Sequence, residues 1–360
     1  MEIQEKKVRE SNLELLKIIA MFLICLSHVV NVFNGIENTN PYTLTFNGIF
    51  GLLVKNFGWF GDYIFIACSA YFLAFSKQFN IKKMLTYYIG CALIFILYLV
   101  VFKIIGISIP ENLFIKTITT YEVFSYWYIK NYLIYLLILP LISLIIEKIN
   151  QKTHKILIIV LLIIQEIAML LKSIDVSIVP LVYVFISMQF IMSYGRKYGK
   201  YLFLKEDDKK KASIGLLLII IFWIIKDILI TYIGSNHNIV FKDAFGATER
   251  LSILYVIFGV DIFILFKNIN IKHNKTINFI SSLSLLFYLI HHNEFLSLVL
   301  DSPFNDILIN YSSSLRPLVF LLGGLIRYIY GILVSILFYF VIFKPLKKLM
   351  DIIFNRNRNK

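Results

Sequence analysis

Charge is what this chain is shortest of. Only 16% of its 360 residues are Asp, Glu, Lys or Arg, whereas a soluble domain carries about 25%, so an ordinary water-soluble globule is excluded. Acidic residues are scarcer than basic ones, 22 against 36, for a net charge of +14. In a soluble protein such an excess would point to nucleic acid; here the placement of the cations gives a better account. Cysteine is rare too. Cys25, Cys68 and Cys91 stand alone in apolar runs, with no CxxC pair and no zinc-ligand spacing, which supports neither a disulfide framework nor a metal site. There is no GxSxG, no Walker glycine loop, no HExxH and no dinucleotide fingerprint. Any chemistry must be gathered from side chains on separate segments. No internal repeat or low-complexity tract is present. Met1–Arg9 is polar, and the apolar run behind it is too long for a signal-peptide core and lacks a small-residue cleavage site. No soluble domain is expected beyond Lys360.

What the chain has in abundance is hydrocarbon: 59% of its residues are hydrophobic and its mean hydropathy is +0.77. Stretches long enough to cross a bilayer core of about 30 Å fall at 13–33, 57–75, 86–105, 126–146, 155–171, 178–194, 212–233, 251–267, 277–297 and 317–343. Ten spans put both termini on one side. The cations say which side. Residues 1–12, 76–84, 147–155, 195–211, 267–275 and 344–360 hold 25 of the 36 Lys and Arg, and the alternate loops hold few, so the positive-inside rule makes both termini cytoplasmic. The expected architecture is all-α: a polytopic membrane helix bundle of about ten transmembrane helices, forming one domain over 1–360. It has a cytoplasmic N-terminus (1–12), a bundle (13–343) and a basic cytoplasmic tail (344–360). The charged run Lys205–Lys211 reads as its central linker, and 34–56 and 294–316 as the long outer loops.

Two ionisable residues share the first span. Lys17 and His28 are eleven residues apart, three helical turns plus roughly 20°, so they project from nearly one face about 16 Å apart along the axis. Ionisable groups inside a membrane are costly and by default mark function. Lys17 lies near the cytoplasmic boundary, within reach of snorkelling and one turn from Glu14. His28, beside Ser27 and a turn before Asn31, lies in the outer half, and imidazole suits proton transfer near neutral pH. Asp62 stands near the outer boundary of the second span, ahead of the small-residue run Ala67–Ala70. Lys82 and Lys83 sit on a cytoplasmic turn and could meet donor phosphates as point charges; on sequence alone, ordinary positive-inside charge is the better explanation of the two. Tyr126 and Trp127, with Tyr128, Asn131, Tyr132 and Tyr135 beyond, form either an interfacial belt or a sugar-binding surface. Glu249 and Arg250 precede the eighth span, where Arg250 could clamp an anion or satisfy Glu249. His291 and His292 end the ninth span pointing about 100° apart, so they make no metal pair.

Several segments resemble the membrane acyltransferase family 3. Ser11–Met21 followed by Ser27-His28 is similar to its first-helix signature, a basic residue, ten intervening residues and a histidine. Gly61–Leu73, Trp127-Tyr128…Tyr135…Pro140 and Tyr288-Leu289-Ile290-His291 add to the resemblance, which runs in order over nearly the whole chain. Two departures stand out: Ser69-Ala70-Tyr71 replaces the usual Ser-Gly-Tyr, and the family's pair of third-helix arginines is not matched, Lys82, Lys83 and Thr86 lying near that place. The resemblance implies transfer of an acyl group, commonly acetyl from cytoplasmic acetyl-CoA, to an extracytoplasmic hydroxyl on a surface polysaccharide or its lipid-linked precursor. It implies a multi-pass protein of the bacterial plasma membrane with no bound cofactor, no metal and no nucleic-acid partner. Carried over, His28 and Lys17 are the catalytic positions. Lys82, Lys83 and Glu14 would serve the donor; Asn31, Asp62, Tyr126, Trp127, Arg250 and His291 would serve the acceptor. His28 would act as a general base or accept the acetyl group itself. A transporter or flippase for a lipid-linked glycan, and a non-catalytic scaffold for polysaccharide export, are the rival classes. Each would tolerate a change at His28.

Overall fold

The structure, a computed structural model, describes residues 9–37, 46–77, 79, 81–172, 180–237, 251–291, 293–295 and 316–356. It is a helical membrane bundle. The helices are α1 (Ser11–Glu37), α2 (Phe46–Phe72), α3 (Ile81–Ile104), the short α4 (Glu111–Ile118) and α5 (Glu122–Ser125), α6 (Trp127–Lys148), α7 (Gln151–Lys172), α8 (Val182–Tyr198), α9 (Lys209–His237), α10 (Ile253–Lys267), α11 (Lys275–Ser282), α12 (Ser284–His291), α13 (Arg316–Phe338) and α14 (Lys344–Arg356). A π-helical turn, Tyr339–Phe343, joins the last two, and the strands β1 (Lys200–Tyr201) and β2 (Leu204–Lys205) pair antiparallel between α8 and α9. That hairpin begins where α8 stops at Gly199, whose φ of 68° is the left-handed cap that ends a helix without Cβ strain.

Among the described residues, seven helices are long and apolar enough to cross a membrane: those within Ser11–Val29, Ile49–Phe72, Ile81–Ile104, Trp127–Lys148, Gln151–Leu171, Lys209–Leu229 and Pro317–Phe354. The three other expected spans appear as shorter helices. α8 has 17 residues and α10 has 15, about 26 and 22 Å at 1.5 Å per residue. The ninth breaks into α11 and α12 at Leu283. Ten crossings with cytoplasmic termini therefore stay an expectation of the loop charges. Outward faces are apolar throughout: Ile156, Ile159, Ile163 and Leu170 on α7 and Leu217, Leu218, Ile221 and Ile225 on α9 are all exposed, as a lipid-facing surface requires.

Two large cores form most of the interior, with smaller clusters around Leu26 and Phe320 and around Met21 and Phe287. One gathers α1, α2, α6, α7, α8, α9 and α10 around Tyr63, Tyr135, Phe185, Trp223 and Tyr255. The other gathers α3, α4, α12 and α13 around Phe95, Leu289 and Phe295. α1 and α2 approach each other most closely. A Cβ added at Gly61 would meet Ile24 Cγ1 at 2.5 Å and the Ala20 carbonyl at 2.7 Å, and one at Gly58 would meet Ser27 Oγ at 2.4 Å. Within this half of the bundle lies a buried charged pair, Lys226 Nζ to Asp227 Oδ1 at 2.7 Å. Asn56 donates to Asp227 at 3.3 Å and Tyr255 donates to Asn56 at 3.1 Å, which ties α9 to α2 and α10.

Two consequences can be measured. Gly61→Ala forces a methyl group against a backbone carbonyl, and overpacking of this kind costs about 1–3 kcal/mol; the variant should unfold at a lower temperature than the wild type in detergent. Burial raises the Glu122 carboxyl on α5 to about 7, with Glu294 adding and Lys116 opposing. A raised carboxyl pKa stabilises the fold below the ordinary value near 4.5 and loses that contribution as pH climbs through about 7. Wild-type stability should therefore decline between those limits, and Glu122→Gln should flatten that part of the profile.

Candidate functional site

Where the two cores meet, they enclose a cavity of about 300 Å³. Its walls come from five parts of the chain: Lys17, Met21 and Ile24 of α1; Asp62, Phe65, Ser69 and Phe72 of α2; Lys83 and Tyr87 of α3; Tyr128 and Tyr132 of α6; and Ser281 through His291 of α11 and α12, with Arg9 at one end. The cations Arg9, Lys17 and Lys83 belong to segments that the loop charges assign to the cytoplasmic side. His291 belongs to the α12 part of the wall and Asp62 to the α2 part.

His28 stands beside His291, half-buried, and is not part of the cavity wall. Its Nδ1 lies 2.8 Å from His291 Nε2, with the ring centroids 4.8 Å apart and 13° between the ring planes. His291 Nδ1 lies 2.9 Å from the Phe287 carbonyl oxygen, one turn back on α12. A carbonyl only accepts, so His291 carries its proton on Nδ1 and, when neutral, accepts at Nε2. His28 then donates from Nδ1, and in its neutral form Nε2 is the unprotonated nitrogen. Two hydrogen bonds thus settle both tautomers and turn a basic nitrogen of His28 away from His291. Phe287 stacks on His291 at 5.0 Å and holds the ring from the other side.

At the cationic end, Lys17 Nζ pairs with Glu14 Oε2 at 2.6 Å, one turn away as expected, and lies 5.9 Å from the centroid of Phe72. Lys83 donates to the Tyr132 hydroxyl at 3.2 Å and sits 5.6 Å from the ring centroids of both Tyr87 and Tyr132.

Lys17, Lys83, Asp62 and His291 are thus brought to one cavity, with Glu14 and His28 directly behind it. Others go elsewhere. Lys82 projects from a neighbouring position on α3 and pairs with Asp351 of α14. Tyr126, expected on the acceptor surface, is buried in the second core against Phe95 at 5.3 Å. Trp127 packs on Trp59 at 5.7 Å and is absent from the cavity wall. The α6 rings that do line it are Tyr128 and Tyr132, one turn apart and therefore on one face of the helix. Asn31 lies on α1 with its side chain outside the described residues, and Arg250 falls outside them altogether. Among residues missed by sequence reading are Arg9, the serines at 281, 282 and 284, and the Lys226–Asp227 pair. The last carried a readable signal, since two charges inside an apolar span are as conspicuous as Lys17. No group of three or more potential metal ligands occurs among the described residues.

The sequence match places this helical membrane bundle among the membrane acyl-group transferases. The chain itself is a member of acyltransferase family 3 (Acyl_transf_3, an acyltransferase domain), whose sequence pattern matches residues 10–343. No curated protein and no solved structure matches the chain.

The Lys17–Glu14 pair offers a test of what the cation does. Glu14 is buried, and removing one partner of a buried pair costs about 3–5 kcal/mol. Lys17→Met should therefore lower both stability and transfer activity, whereas Lys17→Met combined with Glu14→Gln should recover most of the melting temperature without recovering activity. Recovery of both would make the pair purely structural.

Proposed function

We propose that this protein is an O-acetyltransferase of the bacterial plasma membrane. It takes acetyl from cytoplasmic acetyl-CoA and places it on a hydroxyl of a surface or extracellular polysaccharide, or of its lipid-linked precursor. The observation that carries this reading is the His28–His291–Phe287 hydrogen-bonded series at the end of a cavity whose other end is cationic. A volume of about 300 Å³ suits a short acyl thioester and its tether, and the Lys17 and Lys83 cations suit an anionic donor held at the mouth.

In this mechanism the deprotonated Nε2 of His28 takes the proton of the acceptor hydroxyl as its oxygen attacks the thioester carbonyl carbon. One C–O bond forms, the C–S bond breaks, and the proton passes to the departing sulfur. As His28 becomes an imidazolium, its Nδ1–H bond to His291 becomes charge-assisted and strengthens. His291 therefore acts through His28, as a positioning residue. Asp62, Tyr128 and Tyr132 line the cavity that takes the donor tether, and the acceptor hydroxyl meets its thioester end at His28 Nε2, beyond the His291 part of the wall.

Proton NMR of surface glycan from a deletion strain tests this directly. Acetyl signals should return with the wild-type gene and not with His28→Ala, since loss of a general base costs about 10²–10⁴-fold. His291→Ala should lower kcat by about tenfold or more with little change in KM, and His291→Gln, whose amide can still accept from His28, should recover part of it. Acetylation that persists in His28→Ala while glycan export changes would instead favour a transporter.

A further inference from the structure

A second concavity adjoins the first. It is a polar groove of about 590 Å³, lined by Arg9, Glu10 and the start of α1 on one side and by Lys267, Asn268 and His273 on the other. Arg9 lines both the groove and the cavity, so the two spaces meet at one guanidinium. The inner cavity lies at the lower end of the roughly 300–1,000 Å³ that ligand sites occupy. It accepts a thioester and part of a tether, and a nucleotide attached to that tether must lie outside its mouth.

The groove has the chemistry for that nucleotide. Arg9, Lys267 and His273 face a single carboxylate, Glu10, which pairs with Lys267. Exposed Lys272 and Lys275 flank His273. The two main cations are held in place: Arg9 Nη1 donates to the Asn278 carbonyl at 2.8 Å, and Lys267 Nζ lies 4.9 Å from the ring centroid of Tyr71. Side-chain bonds also set the wall. Ser11 Oγ accepts from the Asn274 amide at 2.8 Å, and Asn12 donates to the carbonyls of Phe266 and Lys267 at 2.9 and 3.1 Å. Cations held in advance of binding lose little freedom when a phosphate arrives.

We infer that this groove binds the phosphate-bearing nucleotide head of the acyl donor, with Arg9 at the junction between nucleotide and thioester tether. The inference rests on the thioester-donor reading above. Arg9 engages phosphate oxygens as a fork and Lys267 as a point charge. Glu10, paired with Lys267 in the ligand-free protein, competes with the phosphates for that cation.

Calorimetric titration of the full chain in nanodiscs with adenosine 3′,5′-bisphosphate tests it without any need for turnover. Arg9→Glu and His273→Glu should each weaken binding by about tenfold, the scale of one lost charge-assisted contact, and Glu10→Gln should tighten it. These changes should be the same in phosphatidylcholine discs and in discs containing phosphatidylglycerol. Failure of the wild type to bind the bisphosphate would overturn the assignment, as would affinities that none of the three variants alters. Variant effects confined to discs with anionic lipid would overturn it too, by giving the groove to a lipid headgroup. His28→Ala should bind the bisphosphate like wild type. Persistent acetylation in that variant, with binding still dependent on Arg9, would remove His28 from the chemistry and leave the groove standing.

Discussion

Gly61 lets α2 lie against α1 so closely that no side chain, not even a methyl group, fits between Ala20 and Ile24 and the facing backbone. Gly58 repeats the arrangement one turn away against Ser27, the residue before His28. The functional geometry depends on that contact. It holds the Lys17–His28 helix at a constant distance and rotation relative to the helix that carries Asp62, Phe65 and Ser69 into the cavity. In a bilayer, helices gain little from excluding hydrocarbon, so close backbone approach and internal polar bonds must supply the specificity that apolar burial supplies in water. A wider α1–α2 spacing would separate the cavity walls contributed by the two helices.

Three polar pairs in the interior follow the same constraint. Burial of an ionisable side chain is tolerated where a partner is built in, and Glu14 with Lys17, Asn56 with Asp227, and His28 with His291 each meet that condition. Their uses differ. The Lys226–Asp227 pair links α9 to α2 through Asn56 and lines no wall of the cavity. The histidine pair, by contrast, has one member in the cavity wall and the other directly behind it. Its hydrogen bonds end on a helix carbonyl, an acceptor that has no proton to give. That asymmetry sets the direction of both imidazoles.

The cavity lies between the two larger cores of the bundle. α3, α12 and α13 pack as a unit through Phe95, Leu289 and Phe295, and α2, α6, α8 and α10 pack as another; the seam between them is where Lys83, Tyr132, Tyr128 and His291 come to face Lys17. The break at Leu283 contributes to this. It ends α11 and starts α12, and the serines around it line the seam where an unbroken helix would present a regular face. The neighbouring groove, at the start of α1 and the connection after α10, extends the same seam to the surface.

Much of this was legible in the residues alone. Low charge and long apolar runs determined a helical membrane bundle, because a backbone in hydrocarbon must satisfy its hydrogen bonds within each segment. The eleven-residue spacing put Lys17 and His28 on one face of α1, because helical periodicity is a local property. The i to i+3 spacing likewise allowed the Glu14–Lys17 pair. Contacts between distant segments are another matter. His28 and His291 are 263 positions apart, and nothing local in either says that one ring hydrogen-bonds the other. Lys82 and Lys83 are adjacent and chemically alike, yet one pairs with Asp351 and the other enters the cavity, since neighbours on a helix point about 100° apart and only packing decides which direction is inward. The same rotation buried Tyr126 and brought Tyr128 and Tyr132 to the site. Composition and periodicity thus determined the medium, the fold class and the one-helix geometry; the tertiary structure alone decided which groups meet, because that depends on how helices rotate and close against one another.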